Sequence, residues 1–565
     1  MEHRSPIPIG VEFYKKMVDN GYYYIDKTLL IRELLDQEIN TVLFTRPRRF
    51  GKTLAQSMIK TFFEKEILSD GTVADNSIYF QGKKIMEAGE KYLQHMGKYP
   101  VIFLSLKSAK QPTYEMAYGS LVYEILKEYS RHSYVLESKC ISEEYKKIYN
   151  SVLDRTADCS AFARAIAFLS ECLEKYHKQK VIILFDEYDV PLENAYFEGF
   201  YSEMASFIRS LFESALKTNE SLEFAVVTGC LQISRESIFT GLNNLKVVSV
   251  LDGSFAEYFG FTQQEVDAFL SEYGIMQRRD EVKNWYEGYL FGDTEIYNPW
   301  SLINYVFDIA NGNTEFPRPY WSNTSSNSIV RELIENADDI AKQEIEELIA
   351  GGMIEKPVYE EITYAEIYKS QDYLWNFLFF TGYLKVVGKK FTERQIYFSM
   401  AIPNEEIAYI YENNIREWSV ECIQQKDLSE LIRAFEDGDC EKASDIITEQ
   451  LIDTISFYEY KEDYYHGFFA GLLKHNGKYL VKSNRESGLG RYDLLLKTQK
   501  IRKGRAIIFE FKVAASINGL KEGCRDALEQ IEKLHYDREV IAEGYTDILK
   551  YGICFYKKEC MVQKI

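Results

Sequence analysis

The amino-acid sequence predicts an α/β protein in three parts: a parallel sheet with helices over residues 1–260, a helical middle region over 261–450, and a small α/β domain over 451–565. Three observations carry that reading. Short β-branched runs alternate with longer helical patterns through the first part, as in βαβ units. Those runs are nearly continuously apolar, as expected for strands covered on both faces. After Gln450 the period changes again, to an α-β-β-α order.

The elements follow in order. Thr41 to Thr45 (TVLFT) runs into RPRRFGKT, and the helical pattern LAQSMIKTFFEKEI opens after Thr53. Further strand-like runs are Pro100 to Leu106 (PVIFLSL), Lys180 to Asp186 (KVIILFD) and Leu222 to Gly229 (LEFAVVTG), with a fifth, KVVSVL, from Lys246. Between them AFARAIAFLSECLEKY, from Ala161, has clear helical periodicity. From Phe261 to about Gln450 the pattern is mainly helical and acidic around a Trp/Tyr/Asn-rich patch, and reads as a lid and spacer. The last part offers an aromatic helix (FYEYKEDYYHGFFAGLL), strands RYDLLLK and RAIIFEFKV, and the amphipathic helix CRDALEQIEKLHY. No long Pro/Gly/Ser linker and no internal repeat sharpen these boundaries.

Composition narrows the classes. At 565 residues, 46% hydrophobic and 27% charged, the chain can bury real cores and is neither a disordered tail nor a fibre. The net charge of -20 argues against a protein coated for nucleic acid throughout. It is unevenly spread, however: from Leu451 onward 20 Lys+Arg face 16 Asp+Glu, a surplus of +4 against -24 for the rest. Any nucleic-acid surface is therefore expected in the C-terminal domain. Nine scattered cysteines without a CxxC pair read as free thiols of a reducing compartment. The N-terminal segment has no apolar h-region, and the longest greasy stretch, Leu374 to Leu384, is short for a bilayer. A cytoplasmic protein that crosses no membrane is the expectation.

The segment RPRRFGKT lies between a strand and a helix, the context a phosphate-binding loop requires. Backbone amides around Gly51 would cradle phosphate, Lys52 would reach the β and γ phosphates of ATP, and the Thr53 hydroxyl would ligate Mg²⁺. The usual pattern, G-x-x-x-x-G-K-[ST], has its first glycine where Arg46 stands, so this loop must turn without it. KVIILFDEYD supplies a buried strand ending in acid, with Asp186 to hold the Mg²⁺ shell and Glu187 to polarise the attacking water. Thr228 ends the next strand, placed either to sense the γ-phosphate or simply to cap the strand. Arg48, Arg49 and Arg235 stand ready to neutralise phosphoryl charge or to bind surface acids. The plainer alternative is a Rossmann-like sheet with a merely basic loop.

In AIIFEFKV, alternation puts Glu510 and Lys512 on one face of a strand whose other neighbours are apolar, a costly place for charge without a task. Asp493 lies in RYDLLLK, and TQKIRKGR can close a hairpin that brings it to Glu510 across adjacent strands. Two carboxylates so placed bind Mg²⁺ or Mn²⁺, and a neighbouring lysine can orient or deprotonate water attacking a phosphodiester. Glu462 upstream completes a metal shell in this reading, with His466 a turn on and Gln530 on the following helix. The alternative is a structural ion pair between strands.

The strings YYIDKTLLIRELL, TRPRRFGKT, FDEYDVPL, TGCLQISRESIFTGLNNL, SNRESGLGRYDLLL and AIIFEFKV together resemble the bacterial AAA-ATPase-like proteins that end in a PD-(D/E)XK nuclease domain. The resemblance covers most of the chain and is thin between Phe261 and Gln450. It implies a P-loop NTPase sheet followed by a restriction-endonuclease-like domain, with Arg46 a family feature of the phosphate loop. It also implies that Asp493, Glu510 and Lys512 match the nuclease triad, and that Glu462 and Gln530 fall at helix positions the wider superfamily uses. The expected function is an ATP-dependent, metal-dependent DNA nuclease, possible as an oligomer. The rival is a nucleotide-gated protein that binds nucleic acid or a partner, or signals, without cutting.

Overall fold

A computed structural model of the chain describes residues 4–232, 239, 244–321, 338–360, 367, 370–392, 394–424, 429–453, 462–474, 478–487, 490–498 and 504–565. The chain divides into two compact units, one of Met1–Thr324 with Met353–Ala408 and one of Ser325–Gly352 with Tyr409–Ile565.

The first unit is built on a parallel sheet of β1 (Thr41–Thr45), β2 (Val101–Ser105), β3 (Val181–Asp186), β4 (Leu222–Gly229) and β5 (Leu245–Val248), in the order β2-β3-β4-β1-β5. Every residue of β1 and β3 is buried, as their unbroken apolar runs require. The acid-ending strand β3 is thus separated from the loop-bearing β1 by β4, so three strand ends contribute to one site. The helix Lys52–Phe63 is locked across these strands by Gln56, whose buried amide donates to the carbonyls of Phe185 (3.2 Å) and Val226 (3.1 Å).

The rest of this unit differs from the helical middle region expected. Besides helices such as Pro299–Ala310 and Gln371–Thr381 it holds a hairpin of β6 (Tyr289–Phe291) and β7 (Thr294–Ile296). A second antiparallel sheet has the order β8-β10-β9, from β8 (Ile354–Pro357), β9 (Lys385–Thr392) and β10 (Gln395–Ala401). Most of β9 is exposed, so it lacks the apolar alternation by which strands are read.

The second unit carries the sheet β11 (Tyr479–Ser487), β12 (Gly490–Thr498), β13 (Arg505–Val513), β14 (Asp547–Tyr556) and β15 (Glu559–Lys564), ordered as in the chain. Only β13 and β14 pair in parallel, and the helix Leu520–Lys533 lies within the crossover that such pairing demands. The opposite face is covered by the helices Ser429–Asp437, Cys440–Asp453 and Glu462–Lys474 through a core that includes Phe435, Ile447, Phe469, Phe509 and Tyr551. The expected boundary at 451 therefore cuts through a core: Leu431 and Ile447 belong with the C-terminal sheet, because their apolar faces have that sheet to cover. Among the described residues no helix is long and apolar enough to cross a membrane.

Candidate functional site

The first site forms at the carboxyl ends of β1, β3 and β4. Gly51 stands at the N-cap of Lys52–Phe63 with φ +83°, a left-handed conformation that favours glycine, and it brings no side chain to cap the helix's first amides. Lys52 is buried, its Nζ donating to the carbonyls of Arg46 and Pro47, both at 2.9 Å, with Cys230 Sγ at 3.6 Å. Asp186 is the hub. Thr53 Oγ1 donates to one carboxylate oxygen at 2.8 Å and Thr228 Oγ1 to the other at 2.6 Å, so loop, acid strand and intervening strand meet on one buried carboxylate. Burial, foremost, raises its pKa, with Glu187 adding to the rise and Thr228, Thr53 and Lys52 opposing it. Glu187 is half-buried at φ +54°, just past the strand end, in the strained left-handed region where functional residues concentrate.

The arginines separate. Arg46, expected to bind nucleotide, is fully buried: Nη1 donates to the carbonyls of Thr45 and Val248, both at 3.0 Å, and the guanidinium lies over the rings of Phe291 (4.9 Å) and Phe259 (5.4 Å). Burial lowers its pKa to about 10, against the attraction of Asp252. Its side chain is therefore a core pillar under the loop, filling the place that the missing glycine leaves, and the expectation of a phosphate contact is corrected to that. Arg48 pairs with Glu193, while Arg49, exposed at φ +71°, stacks on Trp300 at 4.2 Å. Phe50 is buried against Tyr289 and Phe291. The loop is thus pinned by aromatic residues of the middle region, where sequence had offered no chemistry. Arg235 lies outside the described residues.

Sequence reasoning missed Asp189. It is buried, and its Oδ2 accepts the amides of Cys230 (2.7 Å) and Leu231 (3.2 Å), tying the turn after β3 to the turn after β4. Its only signal was the second aspartate of FDEYD.

The second site lies on β12 and β13. Their antiparallel register, Leu494 with Phe509, places Asp493 opposite Glu510 one step on. Asp493 Oδ2 accepts the Phe511 amide at 2.8 Å, which aims the carboxylate along the neighbouring strand. Glu510 is buried and Lys512 half-buried, with Lys512 Nζ 3.6 Å from Glu510 Oε1. Gln530, from Leu520–Lys533, donates to the same Glu510 oxygen and, at 3.1 Å, to the Tyr536 hydroxyl. Burial, foremost, raises the Tyr536 pKa, the Gln530 hydrogen bond opposes it, and the charges of Glu510 and Asp493 add to the rise. The helix can lie this close because Gly552, paired with Glu510, has no side chain: a Cβ there would stand 2.4 Å from the Cys524 carbonyl. On the other face His466 Nε2 donates to the Asp493 carbonyl at 2.8 Å. Glu462 opens its helix, and its side chain lies outside the described residues. Among the described residues no three His, Cys, Asp or Glu side chains group as a metal site. Two facing carboxylates do fit a hard cation that completes its shell with substrate and water.

Together these features define a chain of two modules, one with a glycine-capped loop and helix at the carboxyl end of a parallel sheet and one with paired acids and a lysine on adjacent strands. Residues 8–239 match the family model described as predicted AAA-ATPase, and residues 460–565 match that of the PD-(D/E)XK nuclease superfamily. The chain thus carries an AAA-ATPase-like domain and a C-terminal PD-(D/E)XK nuclease superfamily domain. It is also 26% identical over 333 residues to a protein from Azotobacter chroococcum mcd 1 described as "Uncharacterized protein in vnfD 5'region", a match covering 59% of this chain and 56% of that one. The chain therefore spans little more than half the length of that relative.

Proposed function

We propose that the chain is an ATP-hydrolysing, metal-dependent DNA nuclease of the cytoplasm whose nucleotide state controls cutting. The observation that carries the nuclease reading is the meeting of Asp493, Glu510 and Lys512 on paired strands, with the first carboxylate aimed by the Phe511 amide and the second held by Gln530. A divalent ion, Mg²⁺ or Mn²⁺, held by Asp493 and Glu510 would supply an activated water and charge for the departing 3′ oxygen. Lys512 orients or deprotonates that water, and Gln530 keeps the Glu510 carboxylate turned to its task. The +4 charge of residues 451–565 supports backbone contact with nucleic acid here.

In the first module, the amides after Gly51 and the Lys52 ammonium bind the phosphates of ATP. Thr53 and Asp186 hold its Mg²⁺, Thr228 reports on the γ-phosphate through Asp186, and Glu187 aligns water. The convergence of Thr53 and Thr228 on Asp186 supports this reading.

Incubating the wild type and Asp493→Ala with linear and single-stranded DNA, Mn²⁺ and each nucleotide tests it. Cutting by the wild type alone is the expected result. Equal degradation by both would point to a contaminant, and none by either under any nucleotide would leave a binding protein.

A further inference from the structure

We infer that Lys107 is a further phosphate-contacting cation of the nucleotide site, held by Glu12 until a γ-phosphate takes its place. The inference rests on the nucleotide reading above and deepens it by naming how tri- and diphosphate would be told apart.

Lys107 follows β2 at the same end of the sheet as the phosphate loop. Ser105 pairs with Asp186, and Leu106 donates its amide to the Asp186 carbonyl at 2.9 Å. In that register Leu106 is level with Glu187, and Lys107 follows it where the chain leaves the carboxyl end of the sheet. Lys107 Nζ lies 3.0 Å from Glu12 Oε1, and the two side chains are 57% and 42% exposed. Burial works against the Lys107 charge, while the Glu12 hydrogen bond and the charges of Glu187 and Glu12 raise its pKa and Arg49 opposes them. One lysine thus shares an electrostatic neighbourhood with the candidate base and with an arginine of the phosphate loop.

The loop's own arginines are already placed, Arg46 in the core, Arg48 on Glu193 and Arg49 on Trp300. The Lys107–Glu12 pair is different in kind, because an exposed ion pair contributes little and is readily exchanged. A terminal phosphate offers denser charge and stronger acceptors than one carboxylate. Two residues on from Glu12, Tyr14 donates its amide to Ser57 Oγ at 3.0 Å, one helical turn from Thr53, so the backbone beside Glu12 is anchored to the helix that follows the loop. The flexible lysine stem is then the part that moves.

Calorimetry of the full chain with a nonhydrolysable ATP analogue and with ADP tests this in the wild type, Lys107→Ala, Lys107→Arg and Glu12→Gln. Lys107→Ala should weaken the ATP analogue about tenfold, the worth of one charge-assisted hydrogen bond, and leave ADP nearly unchanged. Lys107→Arg should restore most of the loss, and Glu12→Gln should strengthen preference for the analogue over ADP. Equal changes for both nucleotides in Lys107→Ala, or none, would overturn the inference. Should that variant not fold, Glu12→Gln decides, with an unchanged preference overturning it. If the wild type binds neither nucleotide, the nucleotide reading itself falls and takes this inference with it.

Discussion

The Asp493 carboxylate accepts the main-chain amide of Phe511 at 2.8 Å, a bond between neighbouring strands. It fixes one acid by the backbone that also carries Glu510 and Lys512, so the relative placement of the three does not depend on loop conformation. From it follows the expectation that Asp493→Ala and Glu510→Ala each abolish DNA cleavage. Because phosphate contacts dominate nucleic-acid affinity, both variants should still bind DNA and lose it with salt as the wild type does. Gel-shift and cleavage assays on the same preparations check this, and loss of binding in step with cleavage would move these acids from chemistry to structure.

Lys512→Ala should act on rate. A positioned group of this kind is worth about a hundredfold or more in kcat, whereas the carboxylates that would hold the ion remain. Mn²⁺ titration of cleavage should therefore give a similar midpoint at a much lower plateau. A shifted midpoint with an unchanged plateau would make Lys512 a charge that tunes the metal.

In the first module, Lys52→Ala should remove ATP binding, because Lys52 is the cation inside the loop. Glu187→Gln should keep ATP bound and stop turnover, since on the proposed reading its carboxylate, one residue past the Asp186 hub, aligns water and does not hold phosphate. Calorimetry and phosphate release on the two proteins separate these roles. Normal turnover by Glu187→Gln would reassign the base.

How much of this was legible follows from what makes a residue periodic. Strands β1 and β3 read at once because burial on both faces writes nearly continuous apolar runs, and the buried stretches of β4 and β13 do the same. Glu510 and Lys512 read because charge inside such a run breaks the pattern. Arg46 misled for the same reason, since its buried partners are the Thr45 and Val248 carbonyls and two aromatic rings, the second carbonyl and both rings hundreds of residues away. Lys107 carries no sequence signal, and Asp189 only that of the second aspartate of FDEYD, because each acts across strands whose neighbours are settled by topology. Strands β11, β14 and β15 were missed, although β14 forms the parallel partner of β13 and so carries the helix that presents Gln530.

Arg46→Met should lower stability by about 2–4 kcal/mol, because it leaves two buried carbonyls without their donor while keeping apolar bulk. Under conditions where the variant stays folded, ATP affinity should change little, since the guanidinium is turned into the core. Urea unfolding beside calorimetry checks the pair of outcomes. A stable variant with lost affinity would return Arg46 to the phosphate site.

Glu406 gives the first unit a pH dependence that is independent of catalysis. Its carboxylate is fully buried and accepts the Trp321 amide at 2.9 Å, while Trp321 itself stacks on Tyr383. Burial, foremost, pushes its pKa up from 4.5 to about 7, against the hydrogen bonds it receives. A raised folded pKa means that the native state keeps a proton the unfolded chain has already released. Its stabilising contribution is therefore full below pH about 4.5 and is lost as pH rises to about 7, beyond which it stays lost. The shift corresponds to roughly 3 kcal/mol across that window at about 1.4 kcal/mol per unit. Glu406→Gln, which keeps an oxygen for the Trp321 amide and carries no charge, should flatten the profile and raise stability at neutral pH. Unfolding by urea at pH 5, 6, 7 and 8, followed by tryptophan fluorescence, reads both effects. A variant that retained the wild-type slope would assign the pH dependence to another group.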